Sequence, residues 1–345
     1  MAALDGWRWT RPVSACLVMV AAVVLAGCGG GGGGGTAATW RFRVTDLGTL
    51  GGDTSDALAV NDSGQVVGWS RLAGTDTFHA FRYAGGNLLD LGTLAAGGNS
   101  RATGINNSGV ICGTSNVATD NQRAFRYLNQ QMQDLGTLGV AISATACGIN
   151  NAGEIVGGSG GRPFLWAGGQ MQELPTPGGS GEANAVNRDG MVAGWFWLDG
   201  MSAAHAFRGT LAEATDLGAL GGTGSGAFAI NDRGECAGYY VDGANKRLFI
   251  YRNGTMQNIG TLGGAQGEAH GINNTGIVVG NDGTAAGPSH AFLWDGTIRD
   301  LNDLLDAASQ GWTLTRANDI SNHNVIVGQG LAPNGQYHAF LARRI

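Results

Sequence analysis

One segment recurs seven times along this chain, at spacings of 39 to 44 residues, and that repetition limits the fold more than any other feature. Four pieces make up each copy. The first is Ala-x-(Ala/Gly)-(Ile/Val)-Asn, at Ala57–Asn61, Ala102–Asn106, Ala146–Asn150, Ala183–Asn187, Ala227–Asn231 and Ala269–Asn273, with a degenerate seventh at Ala317–Ser321. The second follows two residues on and runs from Gly64 to Gly68 in the first copy and from Asn324 to Gly328 in the last. The third is His-Ala-Phe and its variants, which put Phe81, Phe125, Phe164, Phe207, Phe249, Phe292 and Phe340 in register. The fourth is Asp-Leu-Gly-Thr-Leu, opened by Asp46, Asp90, Asp134, Glu173, Asp216, Asn258 and Asp300.

Each piece is four to six residues long, has β-branched or aromatic content and is bounded by turn residues, which is the pattern of a short strand. Asn-x-x-Gly between the first two pieces supplies a hairpin, because Asn and Gly both tolerate the left-handed backbone; Asn324 in place of that glycine fits the same reason. Composition agrees: glycine takes 63 of 345 residues, with 6 prolines and no collagen period. Each interior glycine costs a helix about 1 kcal/mol relative to alanine. The expected fold is therefore all-β, a seven-bladed β-propeller of four-stranded blades. A parallel β-helix needs a shorter coil, and helical repeats need leucine-rich helices that are absent.

The ends of the repeat region give a second argument. It starts with piece four alone, at Trp40–Leu47, and finishes with piece three alone, at Tyr337–Ala342. The N-terminal strand can therefore complete the last blade and close the ring, which removes two exposed edges. An open array is the alternative.

Three regions are expected: residues 1–27, 28–39 and 40–345. Arg8 and Arg11 precede an apolar run from Ala15 to Leu25, too short to span a hydrocarbon core of about 30 Å. Leu25-Ala26-Gly27-Cys28 resembles a bacterial lipobox, which implies cleavage before Cys28 and acylation of its thiol. Each acyl CH₂ then contributes about 0.8 kcal/mol to membrane anchoring. The alternative is an ordinary signal peptide with an incidental cysteine. Glycines 29–35 read as a flexible tether. By the same resemblance, Gly29 after the cysteine points to the outer membrane of a Gram-negative envelope, with the periplasmic and surface-exposed sides left open.

His-Ala-Phe, Leu-Gly-Thr-Leu-Gly-Gly and Ile-Asn-x-x-Gly together resemble the HAF family of extracellular bacterial repeat proteins, over nearly all of residues 41–345. The third and fifth copies depart from it, with Arg162-Pro163-Phe164 and Arg247-Leu248-Phe249. The resemblance implies an exported repeat protein and carries over no catalytic residue.

Net charge is −6 for the chain; without Asp5, Arg8 and Arg11 it is −7, from 18 basic and 25 acidic groups. No Lys/Arg cluster offers a footprint for nucleic acid. Cys112, Cys147 and Cys236 sit where other copies carry small apolar residues and read as core thiols, with a Cys112–Cys147 bridge the other option. His79, His205, His290 and His338 share one repeat position, too far apart around a ring to converge on a metal, and are expected to bond neighbouring backbone groups. His270 is alone on its strand and His323 lies in a turn. The repeated acids read as turn residues that satisfy backbone amides. Asn-Asp-x-Gly at 61–64 and 231–234 lacks the spaced oxygen ligands of a calcium loop. No cofactor and no metal is expected.

What differs between copies points to a ligand. The residues after the strand-two glycine are expected in the loop to strand three, where Trp69, Trp195, Phe196, Trp197, Tyr239 and Tyr240 could form an aromatic platform for a glycan or a peptide. Asp199, Asp242 and Asp282 would add polar partners; the other reading has the aromatics covering seams between blades. The functional expectation is a monomeric, envelope-tethered binding scaffold. A glycan lyase or hydrolase and a purely structural envelope protein are the competitors.

Overall fold

A computed structural model describes residues 40–118, 121–198, 200 and 203–345. The chain divides into two units, Met1–Thr39 and Trp40–Ile345, and the described residues belong to the second. Cys28 and the stretches expected to be an export signal and a glycine tether lie outside them, as does Asp199. Among the described residues no helix is long and apolar enough to cross a membrane.

The repeats fold into short antiparallel strands, as expected for the first three pieces. Of the fourth piece, in most copies only the opening residue is in a strand, as in Asn87–Asp90, and the Leu-Gly-Thr-Leu that follows is loop. In the first repeat the strands are Gly51–Val60, Val66–Leu72, Phe78–Ala84 and Asn87–Asp90, each paired to the next. The in-register phenylalanines Phe81, Phe125, Phe164, Phe207, Phe249, Phe292 and Phe340 are all fully buried. Removing a side chain of that size from water contributes roughly 2–3 kcal/mol. Seven apolar clusters, counted among the described residues, each straddle two neighbouring repeats. One of them joins Val325, Val327, Ala339 and Leu341 of the last repeat to Ala57, Val66 and Phe81 of the first, so the core is a closed ring.

The N-terminal strand Phe42–Asp46 pairs antiparallel with Tyr337–Arg344, from Phe42 opposite Arg344 to Asp46 opposite Phe340. It thereby completes the sheet of the last repeat. Trp40 stacks on Phe42 at 5.7 Å, lies under the Arg344 guanidinium and donates its indole N–H to Asp295 at 2.6 Å, pinning the start of that strand.

The architecture is an all-β propeller, but seven separate four-stranded sheets are not what its backbone hydrogen bonds form. Five sheets have four strands; repeats five and six run together in one eight-stranded sheet. A single parallel pairing, Lys246 with Gln266, makes that junction. The strand Gly263–Ile272 is ten residues long, and its early part reaches across to repeat five before turning along its own sheet.

Candidate functional site

The opening strand of every repeat lines one central channel of about 370 Å³. Each of these strands carries a β-bulge at one position, between Ala57 and Ala59 in the first repeat and between Ala317 and Asp319 in the last. A bulge inserts one unpaired residue and re-aims its side chain. The inserted residue is the variable one of the motif: Leu58, Thr103, Cys147, Asn184, Phe228, His270 and Asn318 all face the channel.

The glycine that ends piece two makes the bulge possible. A Cβ on Gly68 would sit 1.9 Å from the Asp56 carbonyl oxygen, and one on Gly113 would sit 2.1 Å from that of Arg101. No side chain fits there, so glycine is required by close approach rather than by turn geometry.

One end of the channel repeats itself. The Nδ2 of Asn61 donates to the backbone carbonyl of Asn106, Asn106 to Asn150, Asn150 to Asn187, Asn187 to Asn231 and Asn231 to Asn273, at 2.9–3.1 Å. Each Oδ1 accepts from its own turn, as with Gln65 N–H to Asn61 at 2.9 Å. Ser321 has no amide to continue the chain of bonds. There Asn322 N–H donates to Asp62 Oδ1 at 2.9 Å and closes the last repeat on the first. The residue four after Asn61 is Gln65, on a turn whose Gly64 has φ +76°; Asn324 takes the same left-handed geometry at φ +60°.

The opposite end is unequal. The residue before each motif alanine is Asp56, Arg101, Thr145, Glu182, Gly226, Glu268 or Arg316. Directly across the sheet stand Trp69, Thr114, Gly158, Trp195, Tyr239, Asn281 and Gln329, on the same face because opposed residues of an antiparallel pair share one. Tyr239 tilts against Phe228 at 5.7 Å, and Phe228 against His270 at 5.5 Å. Gly226 leaves the space that the Tyr239 ring uses. Lys246 bonds Glu268 at 2.5 Å with its ammonium 4.5 Å from the Tyr239 ring centre.

Burial pushes the His270 imidazole below its usual range, and Asn281 Oδ1 accepts from Nε2 at 2.8 Å. The ring is then neutral at pH 7, with Nδ1 as an acceptor. Burial raises Asp56 to about 6 despite Arg316 and Asn318, which bond its two oxygens. Asp319 also rises to about 6 through burial, although its oxygens accept from the N–H groups of Val60 and Ile320. Both acids are spent on the seam between last and first repeats.

Several expectations are corrected here. Trp69, Trp195, Phe196, Trp197, Tyr239 and Tyr240 lie in the second strands Val66–Leu72, Val192–Trp197 and Cys236–Asp242, not in the loops that follow. Strand alternation then splits them between two faces. Trp69, Trp195 and Tyr239 turn to the unequal mouth. Phe196 is 0% exposed in the core, and Tyr240 is buried with its hydroxyl accepting from Asn258 at 2.9 Å. Their positions match Ser70, Ser115 and Ser159, buried serines that bond the loop amides of Leu50, Leu94 and Leu138. Trp197 is 42% exposed and meets Trp195 edge-on at 6.0 Å. Asp282 is buried on the core side, where Leu262 N–H and Thr261 bond it.

The repeated histidines bond carboxylates, not backbone groups. His79 pairs with Asp90 at 2.8 Å, His205 with Asp216 at 3.0 Å and His290 with Asp300 at 2.5 Å. His338 pairs with Asp46 of the N-terminal strand at 2.9 Å, the same contact made across the ring closure. In the third repeat Arg162 and Glu173 replace the pair at 2.7 Å. The acids also accept turn amides, such as Gly92 N–H to Asp90 at 2.7 Å, as the sequence suggested. Among the described residues the three cysteines, Cys112, Cys147 and Cys236, are free. Cys112 and Cys236 belong to the core, whereas Cys147 faces the channel and bonds Glu182 at 3.5 Å. Among the described residues, no cluster of three or more His, Cys, Asp or Glu is arranged to hold a metal.

The sequence reading placed His270 alone on its strand, took Cys147 for a core thiol and did not single out the other five bulged residues. Their signal was variation inside an otherwise fixed five-residue motif, the criterion it applied to strand two but not to strand one.

A family model described as protein of unknown function, DUF3466, matches residues 219–345. No curated protein matches the chain. Among solved structures, a puromycin-hydrolysing peptidase from Mycobacterium tuberculosis is 14% identical over 87% of this chain and 50% of its own, with a TM-score of 0.52. TolB from Acinetobacter baumannii is 15% identical over 60% of this chain and 54% of its own, at 0.45. The β-propeller domain of the Trilobed protease from Pyrococcus furiosus is 13% identical over 71% and 81%, at 0.48. This chain thus spans about half of the peptidase and of that TolB, and at such identities the likeness extends to the fold alone.

Proposed function

We propose that this protein is a binding module of the bacterial envelope, exported by residues 1–27, anchored through lipid on Cys28, and monomeric. Its ligand docks at the unequal mouth of the channel. We count its ring as seven blades, with the eight-stranded sheet as two that share one bridging pair.

The observation that carries this reading is the bulge. Flanked by the kept alanine and the kept apolar residue of its motif, that one position carries six residue types in seven copies, all facing the same cavity. Packing alone would favour one residue type there, as it does for the seven phenylalanines. Aromatic faces and amide groups around a concave site are what a glycan or peptide ligand requires. Asp56 and Asp319, the two carboxylates that burial raises to about 6, already have partners on each oxygen, so the reading is one of binding without catalysis.

The test is a glycan array and pull-down with the full-length chain. Trp195→Ala and His270→Ala should weaken capture at least tenfold while the melting temperature stays within about 2 °C, since neither side chain is in the core. Capture that persists in both variants would sink the site assignment. Mass spectrometry of the mature N-terminus checks the anchor, with acylated Cys28 expected and its loss in Cys28→Ala.

A further inference from the structure

We infer that a cavity at this mouth, between repeats one, two and three, takes a carboxylate-bearing sugar, a hexuronate, with Arg101 holding the carboxylate. The inference rests on the binding reading above and names its ligand class.

The cavity measures about 230 Å³, and Phe78, Arg101, Thr114, Asn116 and Gln122 are among its lining residues. The Arg101 guanidinium carbon sits 5.7 Å from the Trp69 ring centre and 5.6 Å from that of Phe78. Those two rings meet edge-on at 5.4 Å, so they fix where the guanidinium lies. Aromatic neighbours attract the cation without using its N–H groups, and a guanidinium fork matches a carboxylate bidentately.

The other cations of the mouth are already paired: Arg316 with Asp56 and Lys246 with Glu268. Arg101 has no ion pair or hydrogen bond among the described residues, and Asp56, the acid whose charge it feels, gives both oxygens to Arg316 and Asn318. Glu182, an acid of the same rim, spends Oε1 on Thr145 and Cys147. One positive fork is thus left to be matched by a ligand anion.

The uncharged groups select the rest of the ligand. The Thr114 hydroxyl and the Asn116 and Gln122 amides also have unspent hydrogen-bonding capacity among the described residues, which suits several hydroxyls. Thr103 and Thr145 do not add to them, because their hydroxyls donate to the Ala146 carbonyl and to Glu182. Phe78 offers a flat apolar wall for the C–H face of a sugar ring.

Calorimetric titration of the full-length chain separates the possibilities, using a hexuronate trimer, the corresponding neutral hexose trimer and a short peptide with a free C-terminus. The hexuronate should bind at least tenfold tighter than the neutral trimer, and added salt should narrow that gap. Arg101→Met should remove the preference and leave hexose affinity within twofold, while Arg101→Lys restores part of it. Thr114→Val lowers affinity for both sugars and serves as a second probe of the cavity if Arg101→Met fails to fold. Equal affinity for the two sugars, an unchanged preference in Arg101→Met, or tighter binding of the peptide would each overturn the inference. If hexose binds, is lost in Trp195→Ala and ignores Arg101, the binding reading stands and this one falls. Silence in every arm overturns both.

Discussion

The two ends of the channel are built by the same seven strands, yet they use their side chains in opposite ways. At the asparagine end, six of the seven repeats spend an asparagine amide on the next repeat and Asn322 N–H to Asp62 closes the last on the first, so the copies keep one residue type and the ring is its own ligand. At the other end the equivalent positions hold Asp56, Arg101, Glu182 and Arg316 with Trp69, Trp195 and Tyr239 across from them, and no contact is shared by all copies. Identity among repeats marks contacts that the repeats make with one another. Divergence at a concave face marks positions with no contact common to all copies: Asp56 and Arg316 pair across one seam, whereas Arg101 is left free to meet something else.

The largest effect should come from a residue that looks like part of the unequal set but belongs to the scaffold. Phe196→Ala removes a fully buried ring packed on Phe207 at 6.2 Å and should cost about 3–5 kcal/mol. Chemical denaturation would show it; a cost under about 1 kcal/mol would return Phe196 to the ligand face. Next comes the asparagine ring. Asn150→Ala loses the bond to Asn187 and leaves the turn N–H groups of Ala152 and Glu154 without an acceptor, a loss of roughly 2–3 kcal/mol with ligand capture unchanged. Capture that fell with it would mean that the two ends are not independent.

A comparable effect separates the ends by pH. Asp56 is raised from 3.8 to about 6, so the folded chain holds its proton where the unfolded chain does not. Its stabilising contribution is present below pH 4 and is lost as pH rises through about 6, by roughly 2–3 kcal/mol. Asp62, at the asparagine end, shifts the other way: burial opposes its charge, but donors from Asn107 and Asn322 hold it below its usual range. Its contribution is present above pH 4 and is lost as pH falls further. Denaturation midpoints between pH 3 and 7 should show the upper slope shrink in Asp56→Asn and the rest disappear with Asp319→Asn, leaving the acid limb in place. An upper slope unchanged in the double variant would refute the assignment.

The repeat boundaries, the buried phenylalanines and the glycines of the turns were all legible in the sequence, because each follows from a local rule of strand alternation or backbone conformation. The ring closure was legible too, since a lone fourth piece at the start and a lone third piece at the end have one economical solution; the Asp46–His338 pair repeats across that junction the contact His79 makes with Asp90. The partner of the histidines was missed because it lies ten or eleven residues away on the adjacent strand, or 292 away for His338, in contact only once the strands pair. Likewise, the joining of repeats five and six depends on where Gly263–Ile272 drifts toward Lys246, which no pattern within either copy records.

Sequence alone thus determined the repeat, its strands and the way the ends meet. Only the tertiary structure decided which side chains see a ligand. The physical reason is the bulge: one extra residue in each first strand shifts the two-residue period locally, so counting alternate positions cannot tell that Leu58, Thr103, Phe228 and His270 turn into the channel. The carbonyl that forces glycine at position 68 belongs to Asp56, twelve residues earlier, and the space between them exists only when the two strands are paired.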